Sequence, residues 1–411
     1  MQYSYFVCAI GGNMDRRRFL QASLVAPLAA SLAGCGGGGS GGSGDAPVEV
    51  VELPMALDGV YASVEVSVNG QALHFLLDSG ADRDVVSART AARLGLKLSE
   101  GTVPGSGAGG PSVPRHWVQL DRLAVGDAVV RDSVAYVIPM PEEFTYDGVL
   151  GMGFFERFVP RLDYAAGRLR LTASAAGLPA PPPGATILPL QRSPSGKLLV
   201  QARVAGEIGW FSIDTGAFNA VTVFTPSVER LDLRRRLQPA VRMVTGIGTN
   251  GVTRGDIVRV GELGLGDQLF RGVVVELSLE NDGLFGSDGW MGNLGGELWH
   301  RFAVTLDSAG RRLHLEPGAA RSQPFVAPCA GLAAPLRDGR FVVADVVPGS
   351  PAADAGVQLD DELLALDGLP LAGDARMLRR ALATPGGSPQ LRLRDGAAAE
   401  REVTLRLREL I

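Results

Sequence analysis

The chain has 411 residues, 46% hydrophobic and 20% charged, enough apolar material for more than one core and too much for a disordered polymer. Its 39 basic residues are outnumbered by 44 acidic ones, a net charge of −5 with no clustered basic run, which argues against nucleic-acid binding. The four histidines (His74, His116, His300, His314) and three cysteines (Cys8, Cys35, Cys329) offer neither a zinc-ligand spacing nor a disulfide framework, so no metal and no other cofactor is expected.

In chain order, the first element is an address. Asp15-Arg16-Arg17-Arg18-Phe19-Leu20 sets arginines ahead of an apolar run from Leu24 to Ala33. That is the layout of an export signal, and the run is shorter than the roughly 20 residues of a membrane span. The pattern resembles a twin-arginine signal, which implies export of a folded protein. Leu32-Ala33-Gly34-Cys35 resembles a bacterial lipoprotein box, which implies that Cys35 is lipidated and begins the mature chain. Met14 stands just before the arginines and is a second candidate start. Residues 1–35 thus read as a signal and residues 36–47 as a tether, Gly36 to Gly44 being glycine and serine alone. The expected location is the cell envelope, facing the periplasm on a lipid anchor. Once residues 1–34 are removed, Cys329 is the one cysteine besides Cys35, so no internal disulfide can form.

From residue 48 onward, short apolar runs alternate with polar residues, as in Val60 to Val68, which closes on Asn69-Gly70 and predicts a strand and a turn. The 55 glycines and 26 prolines suit such short strands. His74-Phe75-Leu76-Leu77-Asp78-Ser79-Gly80-Ala81 then has a later echo in Trp210-Phe211-Ser212-Ile213-Asp214-Thr215-Gly216-Ala217. Asp147-Gly148-Val149-Leu150-Gly151 is paired here with Asp288-Gly289-Trp290-Met291-Gly292, and Phe158 to Asp163 with Phe302 to Asp307. Motifs recurring in the same order make an internal repeat, joined by a proline-rich linker at Pro179 to Gly184. Ser87 to Leu96 and the segment from Ser227 predict short framework helices. Trp117, Trp210, Trp290 and Trp299 are expected in the core, and Asp147 and Asp288 in structural roles.

These motifs resemble the aspartic peptidases, two retropepsin-like or pepsin-like β-lobes in one chain, over residues 48–178 and 185–318. The resemblance implies an aspartic endopeptidase with Asp78 and Asp214 as its catalytic pair. Two facing carboxylates cannot both ionise easily, so one acts as base toward a water while the other donates a proton, the arrangement the aspartic proteases exemplify. By the same resemblance Ser79 and Thr215 hydrogen-bond across the interface, while Gly80 and Gly216 allow the tight turn that presents each aspartate. Ala81 and Ala217 stand where pepsin-like members carry a hydroxyl, and losing that donor predicts an optimum at mildly acidic to neutral pH. Glycine-rich stretches around Gly107 and Gly109, and around Ile247 and Gly248, are the candidate flaps over a substrate.

Beyond Gly318 the repeat stops. Phe341 to Val347, Pro348-Gly349-Ser350-Pro351-Ala352 and Asp360 to Gly368 resemble the PDZ modules of bacterial envelope proteases, over residues 325–411. The resemblance implies capture of a peptide as an added strand, with Gly331 and Leu332 where a loop for a C-terminal carboxylate would begin. Partners are then protein or peptide substrates, possible ligands by their C-termini, and the membrane through its lipid. Both lobes lie in one chain, so a monomer suffices. The alternative is a non-catalytic envelope adaptor in which the retropepsin-like shell and the PDZ module bind peptide tails.

Overall fold

The computed structural model describes residues 50–411 together with the strand backbone of Gln2 and Tyr3. Apart from those two residues, the export signal, Cys35 and the glycine/serine tether lie outside the described residues. Among those described, no helix is long and apolar enough to cross a membrane.

The chain is mostly β, in two similar lobes followed by a smaller unit over the segment that resembles a PDZ module. In the first lobe, Tyr61–Val68 turns at Asn69 and Gly70, both at positive φ, and returns antiparallel as Gln71–Leu77. That is the backbone a two-residue Asn-Gly hairpin requires. Its inward side chains Val64, Val66 and Val68 are buried against the long hairpin of Val113–Val125 and Ala128–Ile138. The second lobe repeats the plan with Leu198–Val204, Glu207–Ile213, Gly251–Leu265 and Gln268–Ser278.

Six strands join the lobes in one sheet. Their order is Val50–Pro54, Arg168–Thr172, Val159–Asp163, Phe302–Asp307, Arg312–Pro317 and Thr186–Arg192. At its middle Leu162 lies opposite Val304, one strand from each lobe. Leu162, Leu169, Leu171, Val304, Leu306, Leu313 and Leu315 are all buried, and one apolar core runs continuously through both lobes. Arg161 clamps the seam, its guanidinium held by Glu316 at 3.0 and 2.8 Å and by Asp163 at 3.0 Å. The proline-rich linker is exposed and takes no part in this sheet.

Two readings of the sequence are corrected. The partner of the Gly148–Leu150 strand is Gly292–Leu294, because Gly148 and Leu150 pair with Phe75 and Leu77 as Gly292 and Leu294 pair with Phe211 and Ile213. Met291, not Asp288, is therefore the counterpart of Asp147. Among the tryptophans, Trp299 is fully buried but Trp117 is 38% exposed, on the outward face of its hairpin.

The PDZ domain has its own core of Phe341, Leu363, Leu391, Leu393 and Leu405 beneath helix Ala375–Leu382. That helix starts where the Asp374 carboxylate accepts from the Arg376 and Met377 N–H groups at 2.9 and 3.2 Å.

Candidate active site

Strands Gln71–Leu77 and Glu207–Ile213 deliver Asp78 and Asp214 to the lobe interface. Each aspartate N–H donates to the neighbouring parallel strand, Asp78 to Leu150 O at 3.0 Å and Asp214 to Leu294 O at 2.9 Å. The loops that follow are cross-braced. The Ser79 N–H donates to Thr215 Oγ1 at 3.0 Å and the Thr215 N–H to Ser79 Oγ at 3.2 Å. The two hydroxyls continue across, Ser79 to Ile213 O at 2.9 Å and Thr215 to Leu77 O at 3.0 Å.

Gly80 and Gly216 serve a purpose other than the tight turn. Neither sits at positive φ. A Cβ on Gly80 would lie 2.4 Å from Asp214 Cγ, and one on Gly216 would lie 2.3 Å from Asp78 Cγ. Each glycine thus makes room for the opposite carboxylate, a reciprocal arrangement that brings both acids together.

Both carboxylates are out of water, Asp78 fully and Asp214 at 2% exposure. Asp78 Oδ1 accepts from the Gly80 and Ala81 N–H groups at 2.7 and 3.1 Å, while its Oδ2 has no partner among the described residues. Asp214 Oδ1 accepts from the Gly216 N–H at 3.1 Å, and its Oδ2 accepts from Asn293 Nδ2 at 3.0 Å. Burial and the nearby Asp214 push the Asp78 carboxyl up to about 7. The Lys197 ammonium, reaching from the second lobe onto Gly80 O, pulls the other way.

Asp84 is a second buried acid in the first lobe. Its Oδ1 accepts from the Gly151 and Phe154 N–H groups at 2.9 and 3.3 Å, holding the strand–helix corner beside Asp78. Burial nevertheless pushes it up to about 7. An acid raised in the folded state binds a proton that the unfolded chain has already released. Its stabilising effect is complete below about pH 4 and is lost as pH rises toward 7. Asp84→Asn keeps an acceptor but no charge, so it is expected to gain stability over wild type progressively between pH 4 and 7. The difference in Tm, rising by several degrees across that window, is the measurement.

The glycine-rich stretches meet tip to tip. The Asn250 N–H donates to Ala108 O at 3.0 Å, and its Nδ2 donates to Pro111 O at 2.7 Å. A side chain on Gly248 would strike Ala108 O, one on Gly109 would strike Gly251 O, and one on Gly107 would strike Thr249. Ile247 lies in the second-lobe arm, Ala240–Gly248, opposite Val252. All four residues thus belong to two arms in mutual contact.

The PDZ domain is docked on both lobes. The Leu336 N–H, pointing out of the hairpin closed by Arg337 and Arg340, donates to Glu143 Oε1 at 2.6 Å. The turn N–H groups of Asp338 and Gly339 donate to Glu142 at 2.8 and 2.9 Å. Arg379 and Arg376 of the PDZ helix reach Asp58 at 3.2 and 3.5 Å. On the other side Asp345 Oδ2 accepts from the Val244 N–H of the second-lobe arm at 2.6 Å. Val347 joins an apolar cluster with Tyr61, Phe218, Met243 and Ile257, against which Ala81 also packs. Gly331 O accepts from the Val347 N–H at 2.9 Å, and Leu332 pairs with Val346, so both belong to the same corner of the domain.

Sequence reasoning missed Asn293, Lys197, Asp84 and the docking acids Asp58, Glu142, Glu143 and Asp345. Only Asn293 left a trace in the sequence, which appears once the repeat is aligned on Met291-Gly292.

Two β-lobes that each bring an Asp-hydroxyl-Gly loop to a shared buried pair define the architecture of the aspartic proteases, here with a PDZ domain appended. Residues 64–154 match the family model described as aspartyl protease, and residues 342–394 match the PDZ domain model. The chain therefore carries a retropepsin-like aspartyl-protease domain and a PDZ domain. Among solved structures it resembles an aspartic proteinase from Irpex lacteus, 12% identical, covering 67% of this chain and 99% of that one with a TM-score of 0.44. It also resembles a retropepsin-like aspartic protease from Rickettsia conorii, 22% identical, covering 30% of this chain and 91% of that one with a TM-score of 0.24. No curated protein matches the chain in sequence.

Proposed function

We propose that this chain is an aspartic endopeptidase whose PDZ domain governs access to the catalytic pair. The observation that carries the reading is the reciprocal packing of Asp78 against Gly216 and Asp214 against Gly80, which buries two carboxylates face to face. Two such acids share a proton, and a water between them is deprotonated by one while the other protonates the peptide carbonyl. No covalent intermediate is required. On the sequence reading of residues 15–35, the enzyme works in the periplasm from a lipid anchor.

The docked PDZ domain supports a gating role. A peptide that adds as a strand needs backbone N–H groups at the edge of the PDZ hairpin. The Leu336 N–H is one such group and is already engaged by Glu143. The same docking sets Asp345 on the second-lobe arm and Val347 into the apolar cluster beside the dyad loops. A tail peptide competing with Glu143 would loosen these contacts together.

The test is cleavage of a peptide library by the wild-type chain and by a Glu142→Ala, Glu143→Ala, Asp345→Ala triple variant. Loss of several hydrogen bonds involving charged groups, each worth about 1.5–3 kcal/mol, is expected to raise kcat/KM by about tenfold or more. An unchanged or lower rate would show that docking supports rather than restrains catalysis. No cleavage by either form would favour the adaptor, and tail-peptide binding to the triple variant would then be measured.

A further inference from the structure

We propose that Asn293, oriented by Ser212, breaks the symmetry of the dyad and fixes Asp214 as the ionised base and Asp78 as the proton donor. The inference rests on the dyad reading above and deepens it.

The two lobes place their aspartates alike but surround them differently. Asn293 lies opposite Ser212 in parallel strands, and the corresponding pair in the first lobe is Val149 opposite Leu76. All four side chains are buried. The Ser212 hydroxyl donates to Asn293 Oδ1, which leaves the amide nitrogen to donate to Asp214 Oδ2 at 3.0 Å. An ionised carboxylate only accepts, so this orientation of the amide matches a charged Asp214.

Each aspartate receives two hydrogen bonds, and their distribution decides the matter. On Asp214 they fall on both oxygens. On Asp78 both fall on Oδ1, and the buried Oδ2 has no partner among the described residues. A carboxylic acid carries its proton on one oxygen and accepts on the other, which is the pattern at Asp78. A charged, unpartnered oxygen buried there would be costly. In effect Asn293 supplies the second lobe with the donor that Ala217 lacks, and Val149 supplies nothing to the first.

Other charges bear on the pair. Lys197 sits on Gly80 O, beside Asp78, and favours its ionisation, but that ammonium is partly exposed and bonded to a carbonyl rather than to the carboxylate. Asp84 holds the Gly151 corner near Asp78. Glu276 lies behind Asn293, hydrogen-bonded to Thr222, the residue paired with Asn293 on its other side.

In the resulting step, water oxygen bonds to the carbonyl carbon, its proton passes to Asp214, and the Asp78 proton passes to the carbonyl oxygen. As the C–N bond breaks, Asp214 returns its proton to the leaving amine. The hydroxyl formed from the carbonyl gives its proton back to Asp78, so both acids end as they began.

The experiment labels the full chain with a small epoxide near pH 6 and maps the ester by mass spectrometry. An ionised carboxylate oxygen opens the ring, and the alkoxide takes a proton from water. Wild type is expected to carry the ester on Asp214 at least about tenfold over Asp78, since one pKa unit of bias gives tenfold. In Asn293→Leu the ratio should approach one, and the acidic limb of the kcat/KM profile should rise by about one pH unit. Ser212→Ala should move both in the same direction. Adding Val149→Asn to Asn293→Leu should shift the ester toward Asp78, a rescue with the roles exchanged. A merely structural Asn293 would change Tm and leave ratio and limb in place. Labelling of Asp78, of both equally or of neither in wild type overturns the proposal, whether or not the variants fold. A protein labelled on Asp214 that cleaves no peptide would sink the endopeptidase reading and leave the assignment standing.

Discussion

Asp78→Asn and Asp214→Asn are each expected to lower kcat by about four orders of magnitude while the protein stays folded. The size follows from the proposed division of labour, in which each acid contributes a proton transfer, typically 10²–10⁴-fold, and groups acting as a unit fail together. Asparagine keeps the volume of the buried side chain and one oxygen acceptor, which at Asp78 can still serve the Gly80 and Ala81 N–H groups. In Asp78→Asn Tm should therefore hold or rise, because a carboxyl whose ionisation is opposed by burial is replaced by a neutral amide. Cleavage rates on a peptide library, read by mass spectrometry, decide it. Retention of more than about 1% of activity in either variant would mean that one aspartate suffices.

Gly80→Ala and Gly216→Ala should be nearly as damaging, for a geometric reason. The new methyl would sit 2.4 Å from Asp214 Cγ in the first variant and 2.3 Å from Asp78 Cγ in the second. Neither carboxylate can step aside, since Asp214 is held by Asn293 and Gly216, and Asp78 by Gly80 and Ala81. Overpacking of this kind costs about 1–3 kcal/mol or more. The lobes must part slightly to accommodate it, which stretches the Ser79–Thr215 brace and spoils the alignment of both acids. A drop in Tm of several degrees with activity reduced at least about a hundredfold is expected in both, by calorimetry and peptide cleavage. Wild-type Tm in either variant would show that the loops do not interlock.

The sequence announced the two loops because an Asp-Ser/Thr-Gly-Ala peptide after an apolar strand is short, local and repeated. The later echo misled for a physical reason. Asp147 and Asp288 share a letter, yet the repeated feature is a buried strand defined by its pairing, and Met291 occupies the place of Asp147 with an unrelated side chain. Setting Val149 beside Asn293 would have exposed the polar substitution next to one aspartate alone. Asp58, Glu142, Glu143 and Asp345 could not be found this way, since each acts on groups far off in the chain, and a lone acidic residue in a sequence looks like any solvated charge. The close packing at Gly80 and Gly216 was likewise hidden: a glycine kept for the space it leaves reads the same as one kept for its backbone freedom.

The central sheet, with Leu162 of one lobe against Val304 of the other, makes the halves inseparable parts of one gene product. In an assembly of two identical chains, any substitution beside one acid appears beside the other as well, and the environment of the pair stays mirrored. A tandem arrangement lifts that constraint. Valine can stand near one aspartate and asparagine near the other, each free to be tuned by mutation on its own, and the same freedom lets one arm, but not its twin, receive the Asp345 carboxylate of the appended domain.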